Sequence, residues 1–149
     1  MSQDLPWDVP GVHQLSVTVA AEHVDQFGHT NNVQYLRWLE QVAWSHSESL
    51  GLSFEAFAQR GVGCVVRRHE LDYLAASFAG ETLMLGTWVH SNDGRLSMWR
   101  AYQIIRVADQ RTLLRGRTQW VCVSMSSGRP TRMPPDYVCA YQPPSIGDE

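Results

Sequence analysis

His23-Val24-Asp25-Gln26-Phe27-Gly28-His29-Thr30-Asn31-Asn32-Val33-Gln34-Tyr35-Leu36-Arg37-Trp38-Leu39-Glu40 decides how this 149-residue chain is read, because a polar loop turns into a helix within it. Leu36, Leu39, Ala43, His46 and Leu50 follow helical intervals, and Arg37, Gln41, Ser45 and Glu48 fall on the opposite side. Gly51 supplies the C-terminal stop. Val33, Tyr35, Trp38, Val42 and Trp44 widen the apolar surface beyond one stripe, so the helix is expected to be central and covered on more than one side. From Asn32 to Leu50 it would span roughly 28 Å at about 1.5 Å per residue. That is close to the roughly 33 Å of a ten-residue strand, so one such helix can lie along a whole sheet.

Upstream, Leu15, Val17, Val19 and Ala21 alternate with Ser16, Thr18 and Ala20 in the period-two pattern of a half-buried strand. Downstream, a short helix is expected over 53–60, from a Ser53 N-cap to a stop at Gly61. The rest reads as strands over 62–75, 82–90, 95–107 and 112–125, with no further helix required. Asn92-Asp93-Gly94 and Ala108-Asp109-Gln110 mark tight turns, which makes the flanking strands antiparallel neighbours. Gly116 interrupts the last strand, as a bulge or a close backbone approach would require. The architecture is α+β: an antiparallel sheet of about five strands packed on one long helix. Residues 1–11 read as an N-terminal arm, 12–140 as a single domain and 141–149 as a Pro-rich tail.

Composition narrows the chemistry. Hydrophobic residues make up 44% and charged residues 18% of the chain, as in an ordinary globular domain. No apolar run approaches the roughly 20 residues of a membrane helix, and Met1 to Pro6 has neither a basic nor an apolar leader region, so no membrane association and a cytoplasmic location are expected. Net charge is −3 with an isoelectric point near 6.0, which leaves no electrostatic footprint for nucleic acid. All 12 basic residues are Arg, so chemistry that needs a Lys amine, such as a pyridoxal Schiff base or a Walker lysine, is excluded. Cys64, Cys122 and Cys139 have no C-x-x-C spacing, and the six His form no H-E-x-x-H. Reduced, mostly packed thiols are therefore expected, with no metal and no cofactor. An open sheet edge and six Trp favour a homo-oligomer.

The loop 23–35 concentrates chemically capable groups at a helix N-terminus, where unpaired N–H groups and the helix dipole favour negative charge. A developing oxyanion would find backbone donors there, with Asp25 as carboxylate companion. The same residues have plain structural readings: Asn31 as an N-cap, Gly28 as a loop residue, Asp25 in an Asx-turn, and His23 or His29 as a packed or capping ring. His46, on the apolar stripe, reads as a hydrogen-bonded core imidazole. There is no G-x-S-x-G elbow, no G-x-G-x-x-G and no P-loop.

The run Asp25-x-x-Gly28-His29-x-Asn31-Asn32-x-x-Tyr35-Leu36-Arg37-Trp38-x-Glu40 resembles the signature of the hotdog-fold 4-hydroxybenzoyl-CoA thioesterase family. The segments 65–74 and 120–134 resemble that family's second strand and its final strand with exit loop, so the likeness extends from about Leu15 to Tyr137. It implies a hotdog fold and hydrolysis of an acyl-CoA thioester without a cofactor. The family's catalytic carboxylate falls on Asp25, with Asn31 and His29 in the same motif, and its carbonyl-polarising N–H falls near Asn32. The family's usual Asp-x-Asp pair is His23-Val24-Asp25 here, and its phosphate-binding basic cluster is reduced to Arg95, with Arg129 and Arg132 as further contacts for CoA. Asp25 would act as nucleophile or as general base. A dimer or tetramer with the site between chains is expected, its acyl pocket drawing on Phe27, Trp38, Trp44 and Tyr73. Two alternatives differ in kind: a hotdog hydratase or dehydratase using a His with Glu40 or Glu48, and a non-catalytic acyl-CoA-binding module.

Overall fold

Two tight turns and a capped helix fix most of the architecture, which a computed structural model describes for residues 4–144. The strands are β1 (His13–Thr18), β2 (Val62–Tyr73), β3 (Thr82–Asn92), β4 (Ser97–Arg106) and β5 (Arg111–Ser124). The helices are α1 (Asn32–Ser49), α2 (Phe54–Arg60) and α3 (Pro135–Ala140), with one short 3-10 turn at Ala21–His23. All strands pair antiparallel in the order β1-β3-β4-β5-β2, so β1 and β2 are the two edges. Between β3 and β4 the carboxylate of Asp93 accepts from the N–H groups of Arg95, Leu96 and Ser97, while Gly94 takes φ +71°. This is the turn chemistry that the Asn-Asp-Gly run predicts.

α1 lies on one face of the sheet. Tyr35, Trp38, Leu39 and Val42 pack against Leu83, Leu85, Tyr102, Ile104 and Leu114 in the main core. A second core at the far end of α1 joins Leu52, Phe57, Val89, Met98, Met133 and Tyr137. This five-stranded antiparallel sheet on a long central helix is the hotdog fold implied by the resemblance. No helix among the described residues is long and apolar enough to cross a membrane.

Several local expectations are corrected. The buried stripe of α1 is Tyr35, Trp38, Leu39, Val42, Ala43 and Ser47, rotated from the one read off the leucines, because the large rings take the sheet-facing side. Val33 and Trp44 stay exposed, so a single chain covers α1 on one side only. A third helix exists where none was expected: Pro134-Pro135 reads as a loop, yet proline is well placed in a first turn. Tyr137 then anchors α3, donating its hydroxyl to the Val62 carbonyl at 2.7 Å. Pairing irregularities fall beside Arg67 and Leu113, not at Gly116. Gly116 marks the close approach instead, since a Cβ there would meet the Leu71 side chain and lie 2.8 Å from the Glu70 carbonyl oxygen.

The N-terminal arm crosses the outer face of the sheet. Leu5 is buried, the Trp7 ring lies over Gly86, the Asp8 N–H donates to Gln103, and Arg115 donates to the Asp8 carboxylate through two nitrogens. Of the expected tail over 141–149, Tyr141 is buried in the second core and residues 145–149 lie outside the described residues, as do 1–3 of the arm.

Candidate functional site

Two neighbourhoods carry chemistry, one at each end of α1. At its start the chain forms a tight loop closed by a Val24–Thr30 bridge, by the Asp25 N–H on the His29 carbonyl at 2.9 Å and by the Gly28 N–H on the Asp25 carbonyl at 3.0 Å. Gly28 sits at φ +84°, a value glycine reaches without steric cost. The Asp25 Oδ1 accepts from the Phe27 N–H at 2.9 Å, which fixes the half-buried carboxylate in an Asx-turn and leaves Oδ2 without a hydrogen bond among the described residues. Asn31 is the N-cap of α1, its Oδ1 accepting from the Val33 N–H at 2.9 Å. The N–H of exposed Asn32, one residue earlier, has no partner among the described residues, as expected for a first-turn donor.

A buried relay holds this loop against the sheet connection. The Thr30 N–H donates to the Ser77 carbonyl, and the Ser77 hydroxyl meets both Thr30 Oγ1 at 2.6 Å and the Tyr35 hydroxyl at 2.7 Å. His23 takes the place of an acid but does structural work: its Nδ1 accepts from the Ala20 N–H, and its ring packs edge-on to Trp38. His29 is exposed, packed edge-on to Phe78 and without a polar partner among the described residues. Glu40 and Glu48 are both exposed on α1.

At the other end, α1, α2 and the sheet frame a half-open cavity of about 140 Å³. Ala43, Trp44, Phe57, Cys64, Met98 and Trp120 contribute to its largely apolar wall. Arg100 also lines it, although only 2% exposed. Its Nη1 donates to His46 Nδ1 at 2.6 Å, its Nη2 to the Ser47 hydroxyl at 3.3 Å, and its guanidinium sits over the Tyr141 ring. Burial, then the Arg100 charge and neighbouring His13, pushes the His46 pKa down to about 3, so the ring is a neutral acceptor, consistent with the core imidazole expected at this position. Of the four aromatics expected around an acyl group, only Trp44 lines the cavity; Trp38 is core, Phe27 is 85% exposed, and Tyr73 lies exposed on the β2 edge.

Arg95, Arg129 and Arg132 gather at this same end, because the Met133 N–H donates to the Arg95 carbonyl and the Ser124 N–H to the Arg129 carbonyl. All three are exposed and outside the ion pairs that occupy Arg60, Arg68, Arg106, Arg115 and Arg117. The three cysteines are free thiols, with Cys64 and Cys122 facing each other at 3.9 Å and Cys139 exposed. What residue-by-residue reading missed is Arg100. Its signal was present: Met98, Arg100, Tyr102 and Ile104 alternate along β4, which puts an arginine on the apolar face.

The thioesterase-like superfamily matches this chain over residues 19–140. Among solved structures, a putative oleoyl thioesterase from Lactobacillus plantarum is 21% identical with a TM-score of 0.82; the match covers 88% of this chain, which spans 50% of that longer one. A DHNA-CoA thioesterase from Staphylococcus aureus is 21% identical with a TM-score of 0.79, over 87% of this chain and 88% of its own. A hypothetical protein from Staphylococcus aureus, solved in complex with CoA, is 14% identical with a TM-score of 0.82, over 95% of this chain and 92% of its own. At these identities the three are likenesses of fold.

Proposed function

Because the chain belongs to the thioesterase-like superfamily, we propose that it hydrolyses an acyl-CoA thioester to a carboxylic acid and free CoA, with Asp25 as the catalytic carboxylate. The observation that carries this reading is the pairing, in one short loop, of a carboxylate with one oxygen uncommitted and a helix start with one N–H uncommitted. The Asn32 N–H polarises the thioester carbonyl and stabilises the oxyanion as charge develops. Asn31 holds the first turn so that this donor stays outward. Asp25 either attacks the carbonyl carbon, expelling thiolate and leaving a mixed anhydride for water to cleave, or takes a proton from the water that attacks. His29 belongs to the same loop, its carbonyl accepting from the Asp25 N–H. The thiolate is a good leaving group, so neither route needs a metal.

The site is completed by a second copy of the chain. Asn32 and Ala43 are separated by about 16 Å of helix axis at about 1.5 Å per residue, too far for one carboxylate to reach an acyl group seated in its own chain's cavity. The β2 edge is long and partly apolar, with Val65, Val66 and Tyr73 each more than 40% exposed. Antiparallel pairing of two β2 edges about a two-fold axis sets the two α1 helices head to tail, so each helix start approaches the other chain's cavity. Arg95, Arg129 and Arg132 meet the CoA phosphates at the cavity end.

The test is thiol release from a panel of acyl-CoA esters by the purified protein, together with its mass in solution. Turnover on at least one ester and a dimer or tetramer at micromolar concentration are expected. Tight acyl-CoA binding without thiol release would favour the binding-module alternative, and a monomer with full activity would remove the shared site. The hydratase reading has less support, since neither Glu40 nor Glu48 is hydrogen-bonded to a histidine among the described residues.

A further inference from the structure

Arg100 is a cation without a counter-ion. A guanidinium has five N–H groups, and two of the Arg100 set are engaged, both by neutral acceptors. Its Nε is buried with no partner. The acids that act on its charge are the weak ones Tyr102, Tyr141 and Cys64. Burial raises the Tyr141 hydroxyl to about 12 and pushes the Tyr102 hydroxyl up, and the hydrogen bond with Cys122, with burial behind it, pushes the Cys64 thiol up, so none of the three carries negative charge at neutral pH. A buried unpaired charge is costly, and it is retained where something supplies the opposite charge. Here the space beside it is a cavity with apolar walls, open past the exposed side chains of Phe54 and Met125.

We propose that this cavity is a receptor for a carboxylate carried on an apolar body, with the Arg100 guanidinium as the anion's partner. The planar fork matches a carboxylate, which it can hold by two parallel N–H bonds. A volume near 140 Å³ is about that of an apolar cavity that takes one benzene ring, so the body is a single ring or a chain of about six carbons. Resting on the thioester-hydrolase reading, the bound group is the far end of the acyl moiety: the substrate is the CoA monoester of a short dicarboxylic or carboxy-aryl acid. Ser47, hydrogen-bonded to both Arg100 and the Tyr141 hydroxyl at 2.7 Å from the latter, keeps the guanidinium in place.

Two measurements on the full chain test this separately. Calorimetric titration with phenylacetate and with phenylacetamide compares one apolar body with and without the charge. The acid is expected to bind at least about tenfold more tightly, the scale of one charge-assisted pair. Arg100→Met, close in volume and without charge, should erase that difference. Gly63→Leu should abolish binding of both probes by filling the cavity, since a Cβ at Gly63 makes only an ordinary 3.6 Å contact with Met125. Should Arg100→Met fail to fold, the wild-type protein still decides: phenylacetate must raise the melting temperature more than equimolar phenylacetamide does. Equal affinity for acid and amide, or a preference that survives in Arg100→Met, overturns the proposal. Thiol release from adipoyl-CoA and hexanoyl-CoA then separates the two readings. Preference for adipoyl-CoA by about tenfold in kcat/KM, lost in Arg100→Met, supports both. Acid binding with no release from any ester upholds the receptor and rejects the hydrolase. Release without preference rejects the carboxylate specificity alone.

Discussion

The two ends of α1 are built on opposite plans. Its start is polar and exposed, with a carboxylate, a capped turn and an uncommitted N–H, and none of these residues lines the cavity at the other end. Its end is largely apolar, with a cavity open on one side, a buried cation and no carboxylate paired with that cation among the described residues. A reaction needs both kinds of place: donors where charge develops, and a dry pocket that orients the rest of the substrate. An 18-residue helix holds them apart within one chain. On the proposed function, binding and reactivity fall to different residues, and pairing two chains would bring them together.

The largest effect belongs to the start. Asp25→Asn should lower kcat by at least about 100-fold, as loss of a positioned acid-base or nucleophilic group does. A folded variant with near wild-type kcat would return Asp25 to its Asx-turn and nothing more. The opposite end should respond in KM: Gly63→Leu is expected to raise KM by about tenfold or more through lost acyl contacts. These two variants also test the division itself. Mixed, allowed to exchange subunits and assayed well below the wild-type KM, where each alone is weak, they should regain up to about a quarter of wild-type activity, because half the dimers then carry one intact site. No recovery, with exchange verified by native mass, would place both functions within one chain.

A smaller change is expected for Arg95→Ala. On the proposed function Arg95 would touch a remote part of CoA held alike in ground and transition states, so KM should rise a few-fold with kcat largely spared, and the difference should fade as salt rises. An unchanged KM at low ionic strength would pass the role to Arg129 and Arg132. The smallest effect is on stability. His46 binds its proton only near pH 3 in the folded state but near 6.5 when unfolded. The unfolded chain therefore holds more protons between those values, and stability is full above about pH 6.5 and declines as pH falls toward 3. Melting curves should show that slope, and His46→Gln, which keeps an acceptor for Arg100, should flatten it.

What was legible in the sequence was local. The Asn31 cap, the αL stop at Gly61 and the Asn92-Asp93-Gly94 turn each follow from two or three adjacent residues, and each stands where read. The start of α1 was legible for the same reason, since its loop is one continuous stretch. The cavity was not, because its wall is assembled from α1, α2, β2, β4 and β5, whose adjacency is set by strand order rather than by spacing along the chain. Ser77 was invisible for a related reason: it becomes an anchor only when the connection before β3 folds back over Thr30 and Tyr35. Arg100 stood in plain alternation, yet only a buried environment with neutral partners distinguishes it from arginines that reach solvent.

The arm across the outer face sets an order of events during synthesis. Residues 5 to 8 leave the ribosome before the strands they lie on, so Trp7 has no surface until Gly86 is in the sheet, and Asp8 has no partners until Gln103 and Arg115 have followed. Contacts spanning 95 and 107 residues form late because a long loop must close before they contribute. The first strand waits likewise, since β1 pairs with β3 rather than with its successor. This arm is thus seated late, a latch drawn over strands that must already be paired.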